Sequence, residues 1–243
     1  MKSTAVLACR LESTRLFGKP MQLINDMPII LHLISRLRKA KKLDEIVLAI
    51  SDEPGQHVFI DLAKKNGLRY VIGDQKDVLG RLIKGGDLAK TDIVVRTTTE
   101  NPYVYWENLD ELISLHIKNS ADITVTEHLP LGAFLEVISL SAMKRAHNDG
   151  EDRHRSELCT LYISENPDKF KIQKIKAPEK LCRADIRLTV DTPQDLILVR
   201  TIWEKLHAKD PLFSISDIIE LFEKEPGLKE INASNNQTLY LWK

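Results

Sequence analysis

Cysteine is scarce in this sequence. Its three cysteines, Cys9, Cys159 and Cys182, form no C-x-x-C pair and no metal-ligand spacing with histidine. This spacing disfavours both a disulfide framework and a cysteine–histidine metal site. We therefore expect all three to be small apolar residues in a reducing compartment.

Long apolar runs are also missing. No run approaches the roughly 20 residues of a transmembrane helix, and the run near the start, within "MKSTAVLAC", is too short for the core of a signal peptide. There is no internal repeat, low-complexity tract or linker. The sequence thus predicts a soluble, cytoplasmic protein with one domain over 1–243, a length that buries roughly 70–75% of the unfolded surface.

Neither sign of charge is in excess. The chain has 35 basic (Lys and Arg) and 35 acidic residues and a formal net charge of zero. This balance argues against a sequence-wide attraction to nucleic acid or to an anionic membrane, so neither is an expected partner. Any anion-binding site must be local.

Short apolar runs alternate with longer amphipathic stretches. Strands are predicted at 4–9, 45–51, 69–73, 92–98 and 122–127, and helices at 27–41, 55–67, 77–90 and 106–119. Such alternation favours an α/β fold with a mostly parallel central sheet and helices on both faces. After about residue 128 the rhythm changes, with strands predicted at 132–141 and 169–177 and helices at 192–207 and 214–227.

The segment after the first predicted strand concentrates positive charge. Arg10, Arg15 and Lys19 fall within ten residues, together with Ser13 and Thr14. In an open parallel sheet, ligands bind beyond the C-terminal ends of the strands, where backbone N–H groups and cations meet anions. The loop lacks the glycines of a GxxxxGK[ST] phosphate loop. The pattern alone leaves two interpretations open, a polyanion site or a solvated basic turn.

The order of residues in "CRLESTRLFGKPM" resembles the signature of the sugar-acid cytidylyltransferases, which include the 3-deoxy-manno-octulosonate and acylneuraminate enzymes. Phe17 stands where that signature usually has proline. Later stretches match in the same order: "KDVLGRL" (76–82), "DIVVRTTTENPYV" (92–104), "ELCTLYISENPDKFKI" (157–172) and "IRLTVDTPQDLILVR" (186–200). The resemblance covers nearly the whole chain and is strongest for the spore coat polysaccharide biosynthesis protein F group.

The resemblance implies a Rossmann-like nucleotide-diphospho-sugar transferase fold and a homodimer formed through the region 128–165. It gives catalytic roles to Arg10, Arg15 and Lys19, which would hold the triphosphate and stabilise the leaving pyrophosphate. Nucleotide contacts are implied for Ala8, Arg10, Ser13, Thr14, Arg15, Lys19, Asp77, Arg81 and Thr99. For Asp77 and Arg81, a solvated i,i+4 ion pair on one helix is the alternative.

Nucleotidyl transfer also predicts a magnesium site. Mg²⁺ typically takes one or two carboxylates and keeps water and phosphate oxygens as its other ligands. The resemblance places Asp191 and Glu100 in this role, although the family's Gly-Asp is Thr99-Glu100 here. Asp191 lies where a predicted strand, "IRLTV" (186–190), ends and turns into a helix at Thr-Pro. An N-cap or turn aspartate is the alternative.

The acceptor side departs further from the family pattern. Acceptor contacts are implied for Arg96, Glu136, His154, Arg155 and Glu157, although Arg96 could instead close a salt bridge. Phe134 replaces an aspartate of the family's Gly-x-Asp-x-Glu stretch, and Leu158 replaces the histidine of its Arg-Glu-His stretch. These changes predict a different acceptor or a metal site of altered shape.

The resemblance implies a Mg²⁺-dependent enzyme that transfers CMP from CTP to an acidic sugar or related acceptor in surface polysaccharide biosynthesis, releasing pyrophosphate. A phosphonate or phosphate acceptor, or a catalytically silent nucleotide-binding relic, is the alternative. A glycosyltransferase ranks lower because no Asp-x-Asp motif follows a predicted strand.

Overall fold

The structure, a computed structural model that describes residues 1–233, is built around a seven-stranded sheet. Residues 234–243 of the predicted domain lie outside this range. The strands are β1 (Ser3–Cys9), β2 (Leu23–Ile24), β3 (Met27–Pro28), β4 (Glu45–Ser51), β5 (Arg69–Gly73), β6 (Ile93–Arg96), β7 (Ile123–Glu127), β8 (Glu136–Ser139) and β9 (Ile172–Lys176). The sheet has the order β5-β4-β1-β6-β8-β7-β9, and β2 and β3 form a separate antiparallel pair.

Helices follow most of the strands. They are α1 (Ile29–Leu37), α2 (His57–Lys65), α3 (Val78–Ala89), α4 (Leu109–Lys118), α5 (Leu140–Asp149), α6 (Asp152–Arg155), α7 (Leu161–Glu165), α8 (Pro193–Leu206) and α9 (Ile215–Lys224). The predicted elements before residue 128 are all present, which confirms the α/β prediction. The predicted strand 132–141 was too long, because its last two residues begin α5, a helix that the sequence reasoning missed.

One strand, β8, runs against its neighbours. It pairs antiparallel with both β6 and β7, while the other pairings of the sheet are parallel. The register sets Glu136, the first residue of β8, opposite Arg96, the last residue of β6. The mostly parallel sheet is therefore confirmed, with one reversal inside it.

The two faces of β1 belong to different halves of the core. Ala5, Leu7 and Cys9 pack in one cluster with residues of α1, α2 and α4, whereas Val6 packs in another with residues of α3 and α5. This alternation follows from the two-residue period of a strand and confirms that helices cover both faces. Within residues 1–233, no helix combines the length and apolar character needed to cross a membrane.

The stretch 186–190, expected to be a strand, lies outside the sheet. It is held by one β-bridge between Leu131 and Arg187, with the Leu188 N–H donating to the Leu131 carbonyl at 2.7 Å. Gly132 makes this close approach possible, since a Cβ there would lie 2.5 Å from the Thr189 nitrogen and its φ is +93°. The contact carries the 186–190 stretch, and Asp191 after it, to the rim of the sheet.

We predict that Gly132→Ala lowers the free energy of unfolding by about 2–4 kcal/mol, because it adds both a clash and left-handed strain. Chemical denaturation measures this loss. Gly227→Ala is the matched control, since a Cβ there meets nothing within 4 Å, and its effect should stay within about 0.5 kcal/mol. Equal effects for the two variants would contradict the packing argument.

Candidate active site

A cleft of about 790 Å³ opens at the edge of the sheet where β1 and β6 end and β8 begins. One wall is the 10–19 loop that follows β1. The other walls are the segment 97–101 after β6, the start of α3, and residues from 131–136, 157–158 and 189–191. The cleft thus occupies the place where parallel sheets ordinarily bind ligands.

Lys19 and Asp191, which are 172 residues apart in the chain, meet in this cleft. The Lys19 Nζ lies 2.6 Å from the Asp191 Oδ1, and both side chains are largely buried. Arg15 reaches the same oxygen, with its Nη2 at 3.3 Å. The structure therefore brings two cations of the 10–19 loop together with a predicted metal ligand from far along the chain.

The 10–19 loop is fastened at both ends. At its start, the buried Glu53 carboxylate accepts the backbone N–H groups of Leu11 and Glu12. At its end, Gly18 has a φ of +60° and donates its N–H to the Leu11 carbonyl at 2.9 Å. Gly18 then begins the 3₁₀ turn that holds Lys19. These contacts fix the loop without using the side chains of Arg15 or Lys19.

The second oxygen of Asp191 has a different partner. The Arg187 Nη2 lies 2.6 Å from the Asp191 Oδ2, and Arg187 also pairs with the fully buried Asp195. Burial acts to raise the pKa of Asp191, but Lys19, Arg187 and Arg15 together leave that pKa below its usual value. The N-cap of α8 is Thr192, so the alternative of an N-cap aspartate at 191 is wrong.

Glu100 lies next to Asp191 on the neighbouring segment, where the Val190 N–H donates to the Glu100 carbonyl at 3.1 Å. Burial raises the pKa of Glu100, and the negative charge of Asp191 raises it further, against the attraction of Lys19. Glu100 forms no ion pair with any residue of 1–233.

These two carboxylates fit a divalent cation. Both line the cleft, both are hard oxygen donors, and Glu100 has no cation of its own in the chain segment that the structure covers. Within the same segment, no group of three or more His, Cys, Asp or Glu side chains is arranged to hold a metal. A two-carboxylate site is consistent with Mg²⁺, which leaves its other positions to water and phosphate.

We predict that Glu100→Gln raises the melting temperature of the metal-free protein at pH 7 by a few degrees, since about 1 kcal/mol shifts it by 2–4 °C in a chain of this size. With the folded pKa raised, the unfolded chain loses its proton first as pH rises. The charged form therefore costs stability above about pH 4.3, the ordinary value. Thermal unfolding at pH 4 and pH 7 checks this, and a difference that does not shrink at pH 4 would contradict it.

Several other predicted residues also line the cleft: Ala8, Arg10, Ser13, Thr14, Arg81, Thr99, Arg96, Glu136 and Glu157. The Thr99 hydroxyl donates to the Ala8 carbonyl at 3.0 Å and so ties the segment after β6 to the end of β1. Ser13 and Thr14 lie on the 10–19 loop between Arg10 and Arg15.

Arg96 and Glu136 form a buried ion pair between the end of β6 and the start of β8, with Nη1 and Oε2 2.7 Å apart. Burial acts to lower the pKa of Arg96, but the Glu136 carboxylate outweighs it and the pKa is raised. Thr160 donates its hydroxyl to the other Glu136 oxygen at 2.9 Å. The salt-bridge interpretation of Arg96 is the one that the structure shows.

Arg10 and Glu157 form a second ion pair across the cleft, 2.6 Å between Nη2 and Oε2. Both side chains are exposed, at 44% and 67%. Exposed pairs contribute little stability and are easily exchanged. This pair differs from the buried Arg96–Glu136 pair in being able to open for a ligand.

A sequence model of the cytidylyltransferases matches residues 4–239. The chain belongs to the cytidylyltransferase family. It is 30% identical to the spore coat polysaccharide biosynthesis protein SpsF of Bacillus subtilis over 91% of this chain and 94% of that protein, and 32% identical to an uncharacterised protein of Methanocaldococcus jannaschii over 99% and 98%. The solved cytidylyltransferase of Leptospira borgpetersenii has a TM-score of 0.86 at 26% identity and covers 99% of both chains. The family predicted from the motifs is confirmed.

Two predicted acceptor residues of this cytidylyltransferase lie elsewhere. The buried His154 accepts the Glu151 N–H at its Nδ1, at 2.8 Å, and its Nε2 lies 3.0 Å from a Glu165 oxygen. Arg155 donates to the carbonyls of His147 and Gly150. Neither residue lines the cleft. Both side chains instead bond to residues of α5, α7 and the turn before α6.

Asp77 is likewise a structural residue. It is the N-cap of α3, where its carboxylate accepts the Gly80 N–H at 2.7 Å and lies 2.7 Å from His147 Nε2. It does not line the cleft, and it pairs with His147, so the alternative ion pair with Arg81 is also wrong. The predicted nucleotide contact of Asp77 is corrected accordingly.

Arg81 remains in the cleft of the cytidylyltransferase. It is 2% exposed, and within residues 1–233 its Nε and Nη1 have no hydrogen-bond partner. Burial lowers the pKa of Arg81. Gly73 makes room for it, since a Cβ there would lie 2.9 Å from the Arg81 Cγ. A buried guanidinium with unused donors is costly unless a ligand pairs with it.

Three residues that support the site escaped the sequence reasoning. Glu53 fastens the loop, and Arg187 and Asp195 hold the outer oxygen and backbone of Asp191. The Asp-Thr-Pro-x-Asp spacing was a usable signal for Asp195, because it forms a capping box with Thr192. No local pattern marks Glu53.

Proposed function

We propose that this cytidylyltransferase transfers CMP from CTP, with Mg²⁺, to a small acidic acceptor such as a sugar acid that enters surface polysaccharide. An acceptor oxygen attacks the α-phosphorus, the bond to the β-phosphate oxygen breaks, and pyrophosphate leaves. A hydroxyl acceptor releases its proton to solvent, whereas an ionised phosphonate or phosphate oxygen has none to release. The observation that supports this is the convergence of Lys19 and Arg15 on Asp191 inside one cleft.

The 10–19 loop would bind the triphosphate. Lys19 and Arg15 would exchange the Asp191 carboxylate for phosphate oxygens, which carry more negative charge, and stabilise the pyrophosphate as it leaves. Ser13 and Thr14 would add hydroxyl or backbone N–H contacts. Arg81 would direct its unused donors at the nucleotide.

Glu100 and Asp191 would hold the divalent ion, which supplies charge neutralisation at the α-phosphate when it is bound. Both residues line the cleft, on two segments joined by the hydrogen bond from the Val190 N–H to the Glu100 carbonyl.

The ion pairs suggest how an acidic acceptor is taken. The ion pair with buried Glu136 holds the Arg96 side chain, so its position in the cleft wall is fixed. Arg10, which the resemblance placed on the triphosphate, pairs with exposed Glu157, and we propose that it can turn from there to the triphosphate or to a carboxylate, phosphonate or phosphate of the acceptor. Leu131 and Leu158 add an apolar surface beside it. These cleft residues also suit a phosphonate or phosphate acceptor. We also propose that the protein forms a homodimer through the region 128–165.

One assay tests the proposal. Purified protein is incubated with each of ATP, GTP, CTP and UTP, with Mg²⁺ or EDTA, and with a panel of sugar acids, phosphonates and phosphate esters, and pyrophosphate is measured. We expect release only with CTP, Mg²⁺ and one acceptor class. Tight CTP binding with no release under any acceptor would favour the relic, and release with another nucleotide would contradict the choice of CTP.

A further inference from the structure

The two carboxylate oxygens of Asp191 face different groups. Oδ1 contacts Lys19 and Arg15, the cations of the 10–19 loop. Oδ2 contacts Arg187, which comes from the stretch before Asp191 rather than from the loop. Oδ1 therefore faces the cations of the cleft, and Oδ2 faces the Arg187 side chain on its other side.

Arg187 is braced on its far side. Its Nε lies 2.9 Å from the Asp195 Oδ1, and its Nη2 lies 3.3 Å from the Asp195 Oδ2, so one planar guanidinium spans two carboxylates. Asp195 is fully buried, and its Oδ2 also accepts the Asp191 backbone N–H at 3.1 Å. This geometry suits arginine, because a lysine ammonium cannot present a rigid fork to both acids.

Asn232 closes the arrangement from the C-terminal 3₁₀ segment Pro226–Asn232. Its amide donates to the Asp195 Oδ1 at 2.8 Å and to the Arg187 carbonyl at 3.3 Å. Asn232 is buried and does not line the cleft. Its contacts with Asp195 and Arg187 connect it to the site.

We propose that Arg187 is a positioning residue: braced by Asp195 and Asn232, it fixes Oδ2 of Asp191 so that Oδ1 faces the metal and the triphosphate. This inference rests on the proposed function. When Lys19 and Arg15 turn to the phosphates, Arg187 stays, because its second carboxylate holds it. Asp191 thus keeps its orientation at the moment when its loop partners leave.

The test measures how strongly each variant prefers metal-complexed nucleotide. Calorimetry gives the Kd of α,β-methylene-CTP, which cannot be cleaved at the α-phosphate, with Mn²⁺ and again with EDTA. Outer partners of metal ligands are worth about 10–100-fold in metal affinity. We expect Arg187→Ala to reduce the ratio of the two affinities by that factor, Arg187→Lys to reduce it less, and added guanidinium at low millimolar concentration to restore part of it in Arg187→Ala alone.

Arg183→Ala is the matched control, since Arg183 lies four residues earlier and pairs with Asp185 outside the cleft. It should leave the ratio unchanged. A folded Arg187→Ala protein with the wild-type ratio would overturn the proposal, even if its melting temperature had fallen. If Arg187→Ala does not fold, Arg187→Lys and Asn232→Ala decide, and wild-type ratios in both would overturn it.

The outcome is separable from that of the proposed function. Wild-type protein that prefers the Mn²⁺ complex but releases no pyrophosphate with any acceptor would contradict the proposed transfer, while a loss of that preference in Arg187→Ala would still support the positioning role. Wild-type protein with no preference for the complex would overturn the positioning role directly.

Discussion

Lys19→Ala is expected to lower kcat/KM for CTP-dependent pyrophosphate release by about 10²–10³-fold, the usual effect of removing one preorganised charge-stabilising group. Lys19 is 8% exposed and 2.6 Å from Asp191, whereas Arg15 reaches the same oxygen at 3.3 Å from a half-exposed position, so Arg15 does not replace the buried ammonium. Steady-state kinetics with saturating Mg²⁺ measures the loss.

The same variant should remain folded. Asp191 keeps Arg187 and Arg15 as partners, so the cost is about 1.5–3 kcal/mol, the range for a hydrogen bond to a charged group. Proteins of this kind have about 5–15 kcal/mol in total. Lys144→Ala is the control: Lys144 is also 2.6 Å from an aspartate, Asp87, but is 46% exposed and away from the cleft. Similar activity losses in both variants would refute the assignment.

Asp191→Asn should have the larger effect. Losing a metal-holding carboxylate removes several kcal/mol of transition-state stabilisation, which corresponds to a drop in kcat of about 10³-fold or more. The variant should also bind metal-free CTP more tightly than wild type, because Lys19 and Arg15 no longer pair with a carboxylate. Kinetics and calorimetry in EDTA measure the two effects.

Tighter binding separates this effect from structural damage, since a misfolded protein would bind CTP less tightly. Asp191→Asn should cost about 3–5 kcal/mol of stability at pH 7, because it strips a buried carboxylate from three cations. As the pKa of Asp191 is lowered, this difference is complete above about pH 3.9 and closes only in stronger acid. Asp185→Asn, an exposed aspartate paired with Arg183, is the control. Weaker binding of metal-free CTP by Asp191→Asn would contradict the exchange.

The layout of the first 127 residues was predictable because each element carries its own period and its own ends. The second half was harder for a physical reason. A four-residue strand such as β8 has no signal for its direction, which is set by pairing with β6 and β7. The stretch 186–190 looks like a strand because Ile186, Leu188 and Val190 alternate with polar residues, but these side chains pack with α8 and α9, and its pairing is a single β-bridge to Leu131.

The residues of the cleft were also predictable only in part. Arg15, Lys19 and Asp191 could be found because their chemistry lies in ordered motifs, and the structure brings them together. His154 and Arg155 could not be excluded from sequence, since a short helix such as α6 gives no indication of which way it turns. Asp77 lies in a motif that matches the family, but it is the N-cap of α3, a role for which aspartate is as well suited as for a nucleotide contact.

The reversed direction of β8 bears on how such a scaffold diversifies. Because β8 is antiparallel to β6 and β7, it begins at the edge of the sheet where those two strands end. The residues before β8, 128–135, therefore lie at the same edge as the residues that follow β6. Insertions in the 128–135 loop would change one wall of the cleft, while the 10–19 loop, which follows β1 two strands away, keeps its position. Under the proposed function, a change in the 128–135 loop alters the wall that would contact the acceptor and leaves the 10–19 loop in place, as long as the residue opposite Arg96 stays acidic.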